Sequence, residues 1–484
     1  MGMDGKIEKM FVGATFNDFL MRPQKAIVKT RKMVDLSMPL SRNADIAMPI
    51  IGANMDTVTG QEMMKALSLE GAFGFLDRNC SIEEEVSRVT YVKNQHSFVI
   101  EHPLVMNMNV TMGDAKKTAD ARNSSSILVE DKPGSGILAG ILSHRDMPPI
   151  NHNEKLIRDF MTPFDRLITA KVGISIEEAE ALMFENRIEK LPLIDTKRRI
   201  KGLITMRDIK LVKQKPYSTK DRKGRLLVGA SIGATGDYME RAEALIKAEA
   251  DVILMDIAHA HSDVMQRAVN NFKRKFKNIE LVVGNIGTAQ GARFLADLGV
   301  DAIKVGIGPG RGCRTRLETS VGVPQLQAIR EAYLAVNGKI PIIADGGVKN
   351  DKDIFLAIAA GASTVMLGSL LSGTDEAPGI VVEDPTTRQK IKFYRGMTSP
   401  EAVVDGTRGD TDEALSTPSE GQSVRVPIVG SVVDVLKRVR GHLQSAVSYA
   451  GEESLSDTHR KIAKNPEKYL IRLSEASKSE SFDR

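Results

Sequence analysis

The 484-residue chain has no tryptophan, only two cysteines and 5% aromatic residues. Two thiols cannot make a disulfide framework, so reduced cysteines and an intracellular setting are expected. No apolar run approaches the ~20 residues a membrane helix needs, and the N-terminus lacks the pattern of a secretion signal. Charge of one sign is not in excess either: the formal net charge is +5. That balance indicates neither a nucleic-acid nor a membrane partner, although it suits a small anionic substrate. A soluble, cytoplasmic protein is expected. With 42% hydrophobic residues the chain can bury ample core, and its length suggests two to three domains at ~150 residues each.

Apolar runs recur along it, most of them followed by a helical pattern. They are Met48–Gly52, Gly71–Phe75, Leu226–Ala230, Asp251–Met255, Leu281–Gly284, Ala302–Val305, Ile340–Ala344 and Ser363–Leu367. Helical periodicity marks intervening segments such as Ala289–Leu298 and Asp351–Ala359. Strands without polar alternation, joined by helices, imply a parallel sheet covered on both faces. Eight of them predict an α/β fold of the (β/α)8 TIM-barrel type. Polar residues follow the runs where a barrel carries its active site: Asn54–Thr57, Asp256, Asn285, Asp345–Gly347 and Gly368–Ser369.

The densest signal is Gly306-Ile-Gly-Pro-Gly-Arg-Gly-Cys-Arg-Thr-Arg316. Alternate glycines let the backbone bend sharply and approach a ligand closely. Cys313 ends that loop beside Arg311, Arg314 and Arg316, a setting for a nucleophilic thiolate. The glycines lack the order of a dinucleotide fingerprint, and no Gly-Lys-Ser/Thr marks a Walker loop.

Between the second and third runs lies an insertion, about 100–215, leaving 1–99 and 216–484 for the barrel. It repeats internally: Gly140-Ile-Leu-Ser-His-Arg-Asp-Met147 recurs as Gly202-Leu-Ile-Thr-Met-Arg-Asp-Ile209. A hydroxyl and a carboxylate three residues apart suit N-capping or the gripping of a ribose. The duplication resembles a tandem CBS pair, with halves at about 100–150 and 157–212. The resemblance puts Ser143, Asp146, Thr205 and Asp208 at nucleotide-binding positions, with ATP- or GTP-type regulators as candidate ligands. The basic stretch Lys210–Arg225 reads as a solvated linker.

A barrel interrupted by such a pair and carrying a Gly-Pro-Gly-x-x-Cys-x-Thr loop resembles the IMP dehydrogenase and GMP reductase family. Its motifs stand here as Asn54-Met-Asp-Thr-Val58, Gly306–Thr315, Gly322-Val-Pro-Gln325, Ala344-Asp-Gly-Gly347 and Tyr394-Arg-Gly-Met397. The resemblance implies that Cys313 attacks C2 of a purine nucleotide, with Thr315 and Glu420 assisting proton transfer. It assigns substrate contacts to Asn54, Met55, Arg311, Asp345, Gly346, Gly347, Gly368, Ser369, Tyr394, Gly396, Met397 and Glu420. Asp256, Asn285, Gly306, Ile307 and Gly308 would meet NAD, or NADPH in a reductase. Carbonyls of Gly308, Gly310 and Cys313 would hold potassium. A homotetramer, pairing into an octamer through the CBS module, is the implied assembly. Arg311 departs from the family, which has a phosphate-binding serine there, and Arg314 is also unusual.

The reaction is the dehydrogenase by preference and the reductase as the alternative. The dehydrogenase carries an Arg-Tyr pair in the flap before Pro427; here Arg408 is the candidate base, but glycine follows it. The string Asp256-Ile-Ala-His-Ala-His-Ser262 leans toward a reductase, whereas Gly322–Gln325, Asp77-Arg-Asn79 and the CBS insertion lean toward the dehydrogenase. Two remoter readings are a metal-dependent barrel hydrolase built on His259 and His261, and a catalytically silent CBS nucleotide sensor.

Overall fold

The computed structural model describes residues 7–95, 99–122, 124–147, 152–221, 223–406 and 418–482. Eight parallel strands close into a barrel. They are β1 (Ile50–Gly52), β2 (Phe73–Leu76), β3 (Gly229–Ile232), β4 (Val252–Asp256), β5 (Glu280–Ile286), β6 (Ala302–Val305), β7 (Ile342–Asp345) and β8 (Thr364–Leu367). Every residue of β1, β2, β3, β6 and β8 is buried, which is why these runs show no polar alternation. The third strand starts three residues later than its apolar run suggests. Leu226 and Val228 are buried all the same, packed in the core ahead of the ladder.

Helices follow the strands: α1 (Gln61–Leu69), α2 (Ile82–Lys93), α3 (Tyr238–Lys247), α4 (Asp263–Lys275), α5 (Ala289–Asp297), α6 (Gln325–Ala335) and α7 (Asp351–Ala360). Four of them start on side-chain caps. Ser81, Ser262, Thr288 and Asn350 accept from the backbone N–H of Glu84, Met265, Gly291 and Asp353. Each cap satisfies an N–H the first helical turn leaves without a partner and fixes where the loop above the strand ends.

The ring closes where β2 pairs with β3, through Phe75 opposite Gly229 and Leu76 opposite Ala230. A glycine is required in that seam. A Cβ on Gly229 would lie 2.5 Å from the Gly74 carbonyl oxygen and 2.5 Å from the Phe75 ring. The buried Arg330 of α6 donates to the Glu8 carboxylate and, at 2.8 Å, to the Ala463 carbonyl, tying an N-terminal and a C-terminal segment to that helix.

The chain divides into two compact units, one of Met1–Gln95, Tyr217–Asp221 and Leu226–Arg484, the other of His96–Pro216 and Arg222–Arg225. The second unit holds a four-stranded and a three-stranded sheet. Helices Met112–Ala121, Ile176–Glu185 and Met206–Gln214 accompany them. Each half has its own core, and a further cluster, Leu128, Leu138, Ile141 and Leu203, draws on both. The expectation of a solvated linker over Lys210–Arg225 fails. Met206–Gln214 is helical, Thr219 is buried with its hydroxyl on the Ala72 carbonyl (2.9 Å), and Arg225 is buried. Tyr217–Asp221 belongs to the barrel unit, where Thr219 N donates to the Ser68 carbonyl at 2.8 Å, so this part of the chain is no free tether. No helix among the described residues is long and apolar enough to cross a membrane.

Gly229→Ala is expected to destabilise the barrel by about 2–3 kcal/mol through overpacking at the seam. A lowered thermal midpoint, read by circular dichroism, checks this.

Candidate active site

The carboxyl ends of the strands open into a cavity of about 1200 Å³. Its wall includes Asn54, Met55, Asp256, Asn285, Gly306–Cys313, Thr315, Asp345–Gly347, Gly368, Ser369, Tyr394, Gly396, Met397 and Glu420. Residues from distant parts of the chain thus share one space because the strands are parallel and the ring is closed.

Cys313 sits half-buried in the loop after β6. Its Sγ lies 3.1 Å from Thr315 Oγ1, and the threonine hydroxyl donates to Glu420 Oε2 at 2.6 Å. With that hydroxyl proton committed to the carboxylate, Thr315 Oγ1 presents a lone pair to the thiol. A path from sulfur to carboxylate therefore exists for the thiol proton. The segment carrying Glu420 is laced to the loop. Arg314 N donates to the Glu420 carbonyl (2.6 Å), Gln422 N to the Gly312 carbonyl (2.9 Å), and Gln422 Nε2 to the Arg311 carbonyl (2.9 Å). Gly396 N closes the far side on the Gln422 carbonyl at 3.1 Å.

Two of the three arginines near the thiol have other partners. Arg314 pairs with Glu318 at 2.7 Å, and Arg316 donates to the Ile307 carbonyl (3.3 Å) and to that of Val323. Burial lowers the Arg316 pKa, and attraction to Cys313 opposes that fall. Tyr394, also buried, has its phenol pKa pushed well up by burial and by Asp345, with Arg311 pulling the other way. Cys80 lies after β2, outside this wall, and burial pushes its thiol up to about 12.

In the cavity wall, Lys304 from β6 bridges Asp256 Oδ1 (3.0 Å) and Asp345 Oδ2 (2.6 Å). Asn54 Nδ2 donates to Asp256 Oδ2 at 2.8 Å. Asn285 Nδ2 donates to the Gly306 carbonyl (2.7 Å) and to Asp345 Oδ2 (2.9 Å). Asn285 Oδ1 is buried without a hydrogen-bond partner, an acceptor left for a ligand. Gly346 has a positive φ of 89°, and a Cβ there would come 3.1 Å from Gly310 N, so two loops meet only through glycine. Gln325 joins the same ends, donating to the Val305 (2.8 Å) and Asp345 (3.1 Å) carbonyls.

A family model described as the IMP dehydrogenase / GMP reductase domain matches residues 13–483. The chain belongs to that family. It is 40% identical over 476 residues to the inosine-5′-monophosphate dehydrogenase of Nitrosopumilus maritimus, covering 97% of each chain. It is 38% identical to that of Bacillus subtilis, with 97% of this chain and 95% of the other covered. Among solved structures, a GMP reductase from Trypanosoma brucei in complex with guanosine 5′-monophosphate superposes with a TM-score of 0.86. The two are 34% identical, and 99% of each chain is covered.

Within this IMP dehydrogenase / GMP reductase chain, the cavity gathers the residues expected for nucleophile, nucleotide and dinucleotide, with one exception. Arg408 lies outside the described residues. In the other unit, Ser143 Oγ donates to Asp146 Oδ2 (2.7 Å) and Thr205 Oγ1 to Asp208 Oδ2 (2.6 Å), the capping arrangement. His261 packs on Phe294 with ring centroids 4.9 Å apart. No cluster of three His, Cys, Asp or Glu side chains suited to a metal occurs among the described residues. The metal-hydrolase reading therefore loses its basis. Sequence reasoning missed Lys304 and Gln422. The signal for Lys304 was a cation inside a wholly apolar strand; for Gln422, two positions beyond Glu420, there was none.

Iodoacetamide at pH 8 is expected to modify Cys313 and spare Cys80, whose thiol stays protonated until pH approaches 12. Thr315→Val should slow alkylation of Cys313 roughly tenfold by breaking the proton path. Peptide mapping by mass spectrometry reads both.

Proposed function

We propose that the protein is a purine nucleotide oxidoreductase acting as an IMP dehydrogenase, converting IMP, NAD and water to XMP and NADH. The observation that carries this is the Cys313–Thr315–Glu420 chain in a cavity able to hold both nucleotides. The dehydrogenase names of relatives at 38–41% identity favour this direction.

Cys313 adds to C2 of the purine as thiolate, its proton passing through Thr315 toward Glu420. Hydride then leaves C2, and a thioimidate remains on Cys313. A bound nicotinamide supplies the hydride acceptor. The residues fit that group: Asn285 Oδ1 is an unused buried acceptor suited to a carboxamide N–H, and Asp256 stands beside it for ribose hydroxyls. Water attack on the thioimidate releases XMP and restores the thiol, with Glu420, or Arg408 from the flap, taking the proton.

The phosphate falls to Arg311, Tyr394, Ser369 and the backbone of Gly346, Gly347 and Gly368, while Asp345 takes the ribose. Met55, Gly396 and Met397 line the purine side, and Gly306–Gly308 the dinucleotide side. The start of α7 is a poor phosphate site. Asn350 and Asp353 already cap it, and Asp351 adds a further negative charge. Carbonyls of Gly308, Gly310 and Cys313 are hard oxygen donors that suit potassium. The second unit is read as a tandem CBS pair binding adenine or guanine nucleotides at Ser143, Asp146, Thr205 and Asp208. A GTP complex of the Trypanosoma brucei reductase is in keeping with that. A cytoplasmic homotetramer completes the reading.

The second reading is GMP reductase, turning GMP and NADPH into IMP, ammonia and NADP. The likeness to the Trypanosoma brucei enzyme and the absence of an Arg-Tyr pair between Thr398 and Glu420 favour it.

Two assays at 340 nm decide. Absorbance rising with IMP, NAD and potassium establishes the dehydrogenase; absorbance falling with GMP and NADPH establishes the reductase. Cys313→Ala is expected to abolish either by at least about a thousandfold, since it removes the covalent step. Exchange of potassium for sodium should lower dehydrogenase turnover by up to about a hundredfold, the scale of the loss when a reacting atom is misplaced by about 1 Å.

A further inference from the structure

Among the eight barrel strands only β6 carries a cationic residue, and that residue is Lys304. Its side chain is 3% exposed. Burial acts to strip its proton, yet Asp256 and Asp345 outweigh burial and its pKa is raised, so it stays an ammonium. The two carboxylates it holds close different strands, β4 and β7. Asp256 leads to Ile257, Ala258 and His259 on one side of the cavity, and Asp345 to Gly346 and Gly347 on the other. Each carboxylate is 23% exposed and takes one further side-chain donor, from Asn54 or Asn285.

We propose that Lys304 is a positioning residue that couples the purine-nucleotide subsite at Asp345 to the dinucleotide subsite at Asp256. This rests on the assignment of those subsites under the proposed function. One ammonium shared by two carboxylates sets both their positions and the direction of their remaining lone pairs. A ligand hydroxyl drawing on one carboxylate shifts the ammonium's hold on the other. A lysine buried only for stability would need no contact with two groups that face the cavity, and a single carboxylate would satisfy its charge.

The test is Lys304→Met and Lys304→Arg in the full-length protein. It reads kcat, KM for each substrate, calorimetric binding of IMP, GMP and NADH separately, and the Cys313 alkylation rate. Lys304→Met is expected to raise the KM for purine nucleotide and for dinucleotide together, each about tenfold. Alkylation should be unchanged, and Lys304→Arg should recover most of both losses. Should Lys304→Met fail to fold, Asp256→Asn reads the same coupling and should weaken binding of IMP or GMP, which that carboxylate does not itself touch.

A change in only one KM, or Lys304→Arg no better than Lys304→Met, overturns the coupling. So does unchanged purine-nucleotide binding in Asp256→Asn. An active wild-type enzyme whose Lys304→Met variant keeps both KM values overturns the coupling and leaves the functional reading standing. A wild-type protein that binds neither IMP nor GMP overturns both.

Discussion

Hydrogen bonding between β2 and β3 joins strands that the whole second unit separates in the chain. Until that seam closes, the sheet has two open edges, and its carboxyl ends do not face one another. Closing it over such a separation carries a large loop entropy, although that cost grows only slowly with loop length. The compensation is apolar. Strands buried on both faces, with Gly229 flat against Phe73 and Phe75, leave nothing at the seam for water to solvate. Once the ring is shut, loops from β1, β4, β5, β6, β7 and β8 share one cavity.

The chemistry on that floor uses two different kinds of polar organisation. Around Cys313 it is a short proton path, held by backbone bonds between the Cys313 loop and Glu420–Gln422 rather than by ion pairs. Arg314 is occupied with Glu318 and Arg316 with carbonyls, so their charge is less available to the thiol than their position in the chain suggests. Around Lys304 it is a buried charge cluster, in which a cation and two carboxylates are affordable only together. The first arrangement suits movement of a proton, and the second suits rigidity.

The second unit makes the opposite use of the same local pattern. Its hydroxyl–carboxylate pairs cap the ends of its own elements, and its two halves bury a shared apolar cluster. Each hydroxyl is thereby held on its carboxylate, at 2.7 Å for Ser143 and 2.6 Å for Thr205.

Much of this was legible in the residues. The eight apolar runs, the order of glycine, cysteine and threonine in the loop, and the aspartates ending β4 and β7 follow from local chain chemistry. Burial on both faces demands unbroken hydrophobicity, sharp turns demand glycine, and helix starts demand side-chain acceptors. Other features were not legible, because they depend on which loops meet. Thr315 could be named from its motif, but its bond to Glu420 depends on how a distant segment is laced across the loop. Arg311, Arg314 and Arg316 read alike as neighbours of a thiol, yet folding sends two of them elsewhere. Lys304 stands unexplained in an apolar run, and only the closed barrel brings two carboxylates around it. The sequence by itself determined the strands, the turns and the reactive residue types, since those are settled within a few residues. Only the tertiary structure decided which charges neutralise one another and which donor faces which acceptor, since that is set by distances across the barrel mouth.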